Sequence, residues 1–268
     1  MSVRLRNNVT ATGTGPITLV FAHGFGCDQV VWRFMAPAFA DRYRVVAFDL
    51  TGSGHSDLAA YDRERHSTLH GHADDLLEII DEIQGPVVYV GHSVSAMIGM
   101  LAGIKAPDRF LAQVMIAPSP CFIDDGDYRG GFSHGDIDEL LETMEANYLG
   151  WSSSMAPVIM GAPNLPHLGI ELTNSFCRND PAIARHFGRV TFLSDHRADL
   201  AHATLPTLIL QCSDDLIAPL EVGDYLREQL AGSRLEQVRN VGHCPHMSAP
   251  QECIRLTQAF LDELELQA

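Results

Sequence analysis

Ser93 is the residue around which chemistry can be built. It follows the apolar run Val87 to Val90 and the pair Gly91-His92, and it precedes Val94, Ser95 and the apolar positions Ala96, Met97, Ile98, Met100 and Leu101. A short buried strand that turns at once into a buried helix presents the residue at the turn to whatever lies beyond the sheet. The string reads G-x-S-x-S, with serine where such an elbow usually carries a second glycine. Small residues are needed there because the strand and helix backbones approach closely, and serine is still small enough to fit. A serine hydroxyl is a weak nucleophile until an imidazole accepts its proton, and the imidazole needs a carboxylate to fix its tautomer and stabilise its charged form. Both follow later in the chain. Asp214 and Asp215 come after the apolar run Thr207 to Cys212, and His243 and His246 come after the last strand-like segment, 233–238. Gly242-His243 marks a tight turn and makes His243 the candidate base, leaving His246 as a packing or surface residue. On the residues alone, both aspartates compete for the role of the acid. His92 points elsewhere at such a turn and is read as a hydrogen-bonding neighbour on the border of the pocket.

Other clusters fail chemical tests. His66, His70 and His72 invite a metal, but their spacing puts them on different sides of a helix start with no thiolate or carboxylate to complete a set; they are expected to be solvated surface histidines. The glycines of 49–57 lack the spacing of a phosphate cradle and read as a structural loop. Six scattered cysteines without a CxxC pair read as buried thiols rather than a disulfide framework. No metal or cofactor is expected.

The serine requires a sheet to carry it. Apolar strands are expected at 17–22, 43–48, 87–90, 113–117, 207–212 and 233–238, after a short N-terminal strand, with helices over 28–40, from Ser67 or Thr68 to about Ile83, after Ser93, and from Pro250 to about Leu264. Between 118 and 202 the strand–helix alternation stops. Segments 135–149, 151–160, 165–177 and 181–193 read as helices punctuated by Pro157, Pro163, Pro166, Gly150 and Gly161. A helical block inserted after the nucleophile is a cap over the strand ends. Residues 1–120 and 201–268 are thus expected to form an α/β core, a mostly parallel sheet flanked by helices, and 121–200 a four-helix cap. The pocket beneath is assigned to His92, Phe122, Phe132, Tyr148, Trp151, Met155, Phe187 and Ile217.

Composition narrows the function. Eighteen basic against 34 acidic residues give a formal charge of −16, so nucleic acid and anionic membranes would repel this chain. No apolar run approaches the ~18 residues of a transmembrane helix. The N-terminal MSVRLRNNVTATG lacks the apolar core of a signal peptide, and a cytoplasmic location is expected.

The strings HGFGCDQVVW (23–32), GHSVSAMIG (91–99), YRGGF (128–132), MEANYLGW (144–151), SDHR (194–197), DDLIAP (214–219) and GHCPHMSAP (242–250) together resemble one family. It is the α/β-hydrolases that include the bacterial stress-response regulator RsbQ and the plant strigolactone and karrikin receptors, with DDLIAP and GHCPHMS closer to the bacterial branch. The resemblance implies an α/β-hydrolase fold with a V-shaped four-helix cap over a deep apolar pocket. It selects Asp215, four residues before Pro219, as the acid of a Ser93–His243–Asp215 triad, and it places an oxyanion hole at the backbone amides of Phe25 and Val94. Family members hydrolyse small esters or butenolide-type lactones, often slowly, and several are signal receptors. The expected function is a cofactor-free serine hydrolase acting on a small apolar ester or lactone through an acyl-enzyme. The alternative is a small-molecule sensor that passes its signal to a protein partner at the cap, with hydrolysis secondary.

Overall fold

The computed structural model describes residues 2–264. A short helix α1 (Val3–Arg6) leads into strand β1 (Thr10–Thr12), and β2 (Thr18–Ala22), β3 (Arg44–Phe48), β4 (Val87–His92), β5 (Phe110–Ile116), β6 (Thr207–Asp214) and β7 (Ser233–Val241) follow. They form one sheet in the order β1-β3-β2-β4-β5-β6-β7, in which β1 is antiparallel and every other pairing is parallel. Parallel strands joined by crossover helices are covered on both faces and therefore need continuous apolar sequence. The central strands obey this: every residue of β2 and β4 is buried.

Helices α2 (Leu69–Asp81) and α3 (Val94–Lys105) pack together beside the sheet. The four helices α4 (His134–Ala146), α5 (Tyr148–Met160), α6 (Pro166–Arg178) and α7 (Pro181–Phe192) lie between β5 and β6 in the chain, and α8 (Leu220–Gln229), α9 (Pro245–Ser248) and α10 (Pro250–Glu263) complete it. Asn147 separates α4 from α5: it ends the first and caps the second, its side-chain oxygen accepting from the Gly150 amide at 2.9 Å. The helix expected over 28–40 is instead two 3₁₀ turns, Gln29–Phe34 and Ala36–Phe39. Pro37 has no N–H to donate to an α-helical ladder, and the tighter turns still bury Val31, Trp32 and Phe39.

His66 and His72 depart from the sequence expectation. Both are fully buried, and only His70 of that group is exposed. His66 Nε2 donates to Asp75 at 2.9 Å, and Thr51 donates to the same carboxylate oxygen at 2.5 Å, so a polar network ties the loop after β3 to α2. Burial alone would raise the Asp75 pKa, but its hydrogen bonds from His66 and Thr51 and the nearby charges hold it well below the usual carboxylate range. Among the described residues, no helix is long and apolar enough to cross a membrane.

Candidate active site

The turn between β4 and α3 holds Ser93 at φ 55° and ψ −122°, in the region that favours glycine. Such strain persists only where surrounding structure imposes it. Here the Ser93 amide donates to Ile116 O at 2.8 Å and Ala96 N–H donates to Ser93 O at 2.9 Å. A Cβ on Gly91 would lie 2.6 Å from Ser95 O, and one on Gly99 would lie 2.1 Å from the Tyr89 ring, so the strand and helix are pressed together as the spacing of small residues implies.

His243 reaches the serine from the loop after β7. The Ser93 hydroxyl lies 2.8 Å from His243 Nε2, and His243 Nδ1 lies 2.7 Å from Asp215 Oδ2. A carboxylate can only accept, so Nδ1 carries the proton and Nε2 is free to accept from the serine. The other Asp215 oxygen accepts from the amides of Ile217 at 2.8 Å and Ala218 at 3.3 Å, which fixes the carboxylate in the turn after β6. Asp214 is exposed. The His243 amide donates to Ile159 O at 2.8 Å, and a Cβ on Gly242 would meet Met160 O at 2.0 Å. The loop that carries the base is therefore clamped to the end of α5.

His92 Nε2 donates to His243 O at 2.8 Å. Its ring packs 4.3 Å from His246, which in turn lies 4.5 Å from Trp32. Burial, with the neighbouring imidazoles, pushes the His92 pKa well below its ordinary value and that of His246 down to about 3. Both rings are neutral packing groups behind the His243 backbone.

The loop after β2 lies against the elbow. A Cβ on Gly24 would stand 2.6 Å from His92 Nδ1 and 3.3 Å from Ser93 Cβ, so only glycine lets the loop come this close. Ser95 Oγ donates to His23 O at 2.5 Å and ties the two segments together. The Phe25 N–H next along makes no hydrogen bond among the described residues. Val94 opens α3, so its N–H has no intrahelical acceptor. Two open amides near a serine can stabilise an oxyanion. The Phe25 ring is anchored among Trp151, Phe176, Phe187 and Phe192, at centroid distances of 5.8–6.2 Å.

Above Ser93 is a mainly apolar cavity. Of the residues assigned to the pocket from the sequence, His92, Phe122 and Ile217 line it. Tyr148, Trp151 and Phe187 stand behind the wall: Tyr148 donates to Phe176 O at 2.9 Å, Trp151 stacks on Phe176, and Phe187 packs between Phe25 and His72. Phe132 and Met155 border a separate groove on the helical block. The wall also contains Ile159, Leu172, Phe176, Thr191 and Phe192 from the helices, and Cys27 and Cys244 from the core. Leu172 and Phe176 are four apart on α6 and share a face, a signal the sequence did carry. Burial, with nearby acidic charge, pushes both thiols above their ordinary pKa, so neither is a thiolate that could compete with Ser93 as a nucleophile.

The alpha/beta hydrolase family model matches residues 19–256. Karrikin insensitive 2 receptor CA of Petunia hybrida is 41% identical over 92% of this chain and 93% of its own length, and strigolactone esterase D14 of Arabidopsis thaliana is 40% identical over 95% and 96%. Among solved structures, a hydrolase from Oleispira antarctica superposes with a TM-score of 0.94 at 42% identity, covering 97% of this chain and 96% of that one. The chain belongs to the alpha/beta hydrolase family.

Proposed function

We propose that this protein is a serine hydrolase that cleaves a small, largely apolar ester or lactone through an acyl-enzyme. The observation that carries the reading is the unbroken hydrogen-bond line from Asp215 through His243 to Ser93 at the floor of an apolar cavity. Ser93 Oγ attacks the carbonyl carbon while its proton passes to His243 Nε2, and the Asp215 carboxylate stabilises the imidazolium that forms. The carbonyl electrons move onto an oxygen held by the amides of Phe25 and Val94. Collapse of this intermediate breaks the ester bond, and His243 returns the proton to the departing oxygen. A water molecule, deprotonated by His243, then frees the acid and regenerates Ser93. For a lactone, both products begin as one chain held on the serine.

Residues 121–200 act in this reading as a cap whose aromatic interior closes the cavity. A second reading, a small-molecule sensor with a protein partner at the cap, is supported by the clamp between Gly242 beside His243 and the end of α5, which links the base directly to the cap. The ~40% identity to proteins named as receptors and esterases favours a butenolide-like lactone as the ligand.

The experiment is fluorophosphonate labelling together with turnover of p-nitrophenyl butyrate. The expected outcome is a single adduct at Ser93 and a loss of roughly 10⁶-fold in kcat for Ser93→Ala. An adduct elsewhere, or retained turnover in Ser93→Ala, overturns the hydrolase reading. A butenolide that binds without being cleaved, while simple esters are turned over, favours the sensor.

A further inference from the structure

Beyond Ser93, His243 and His92, the side chains that wall the cavity end in carbon or sulfur, except that of Thr191. It lies on α7 with 1% of its surface exposed, and its hydroxyl has no hydrogen-bond partner among the described residues. A threonine inside a helix commonly bonds back to the carbonyl four residues earlier. Thr173 on α6 does so, donating to Gly169 O at 2.8 Å. Thr191 makes no such bond, leaving a buried donor on a residue that lines the cavity. His92 Nδ1 is also unpartnered there, on the side where Gly24 packs close to the ring.

We propose that the Thr191 hydroxyl determines substrate specificity by donating to an oxygen of the substrate other than the scissile carbonyl. The inference rests on the Ser93 hydrolase reading and narrows its substrate class to esters or lactones that carry a second acceptor oxygen, a carbonyl or an ether, in the part that enters the cavity. An otherwise apolar wall separates ligands by size and discriminates poorly between an oxygenated group and its hydrocarbon isostere. A buried, unsatisfied hydroxyl changes that, because it regains a partner only with the oxygenated ligand.

The test compares p-nitrophenyl 4-oxopentanoate and 5-oxohexanoate with their methyl-branched isosteres in the wild type, Thr191→Val and Thr191→Ser. The variants are compared at equal folded content by circular dichroism. The wild type and Thr191→Ser should favour at least one oxo ester over its isostere by roughly tenfold in kcat/KM, and in Thr191→Val the ratio should fall to about one. The same ratio is read from the binding of the free oxo and methyl-branched acids to Ser93→Ala, where Thr191→Val must again remove the preference. No preference in the wild type, or an undiminished preference in Thr191→Val, overturns the proposal. Fluorophosphonate labelling of Ser93 in the same proteins separates the two readings: a labelled Ser93 with no oxo preference removes the role of Thr191 alone, whereas an unlabelled Ser93 removes the hydrolase reading on which it rests.

Discussion

His243–Asp215 and His66–Asp75 are built alike, and only the first is placed to do chemistry. In both, an imidazole buried in the core donates to a buried carboxylate, at 2.7 Å and 2.9 Å respectively. The difference lies at the second ring nitrogen. That of His243 faces the Ser93 hydroxyl at the edge of a cavity, whereas that of His66 is engaged by the backbone of Asp62, 2.8 Å from its carbonyl, under a stacked Tyr61 ring. Asp75 is also more heavily subscribed, accepting from Thr51 and from Arg65 as well as from His66. A histidine–aspartate hydrogen bond is thus a generic buried pair. What fits one of them for the catalysis proposed above is an unfilled space and a serine hydroxyl at the far nitrogen, while the other holds a loop to a helix.

The contrast is broken most severely by removing each carboxylate in turn. Asp215→Asn should lower kcat by roughly 10⁴-fold, because an amide opposite Nδ1 favours the wrong tautomer of His243, while Asp214→Asn, at an exposed position, changes little. Asp75→Asn should instead cost about 2–4 kcal/mol of folding stability, because it leaves Arg65 and His66 without their charged acceptor; half-exposure of Arg65 keeps the cost at the lower end for a broken buried pair. Its turnover per folded molecule should stay within a few-fold of wild type. Urea unfolding and steady-state rates on the same preparations check both statements. A large kcat loss in Asp75→Asn with unchanged stability would show that the second pair serves the reaction.

A smaller effect follows from the histidines that the fold keeps neutral. Burial, together with the charge of His66, lowers the His72 pKa to about 3. A histidine depressed in the folded state stabilises the fold above its unfolded pKa of ~6.5, and that stability is lost as pH falls from there toward the folded value, because the unfolded chain binds the proton first. The stability of Asp75, also depressed, is lost only below about pH 4. The urea midpoint should therefore be level above pH 7 and fall between pH 6.5 and 5. His72→Leu should flatten that slope by up to ~1.4 kcal/mol per pH unit, the equivalent of one proton. An unchanged slope would mean that His92 and His246, depressed by the same burial, carry the whole dependence.

The parts of this molecule that were legible in the sequence are those specified locally. Val87 to Leu101 spells a strand, a turn and a helix without reference to the rest of the chain, and the tight turn at Gly242 points to His243, whereas the end of the strand before Asp214 and Asp215 leaves both open until the family resemblance selects Asp215. The pocket wall was less legible because helical periodicity identifies a face but not its neighbour. Trp151 and Phe176 stack on each other across two helices, and only the second borders the cavity. His66 was misread as solvated because the groups that make its burial tolerable, Asp75 with its partner Thr51 and the Tyr61 ring, come from separate segments and have no local signature, and His72 because it is buried against the rings of His66 and Phe187, the second from a distant helix.

The smallest expected effect concerns Ser95, which the sequence marks only as a departure from glycine. Its hydroxyl donates to His23 O, the last carbonyl before Gly24-Phe25, and its own carbonyl accepts from the Tyr89 hydroxyl at 2.9 Å. The side chain that replaces glycine thus fastens the elbow to the loop whose Phe25 amide is proposed to hold the oxyanion. His23 is held from the other side as well, its Nε2 accepting from the Leu50 amide at 3.0 Å, so removing one bond loosens the loop without releasing it. Ser95→Ala keeps the Cβ and deletes only the donor, and should cost about 1 kcal/mol, or roughly fivefold in rate. The loss should fall on kcat with KM nearly unchanged, because the Phe25 amide acts mainly on charge that develops in the transition state. A rise in KM at constant kcat would instead place the role of Ser95 in shaping the cavity.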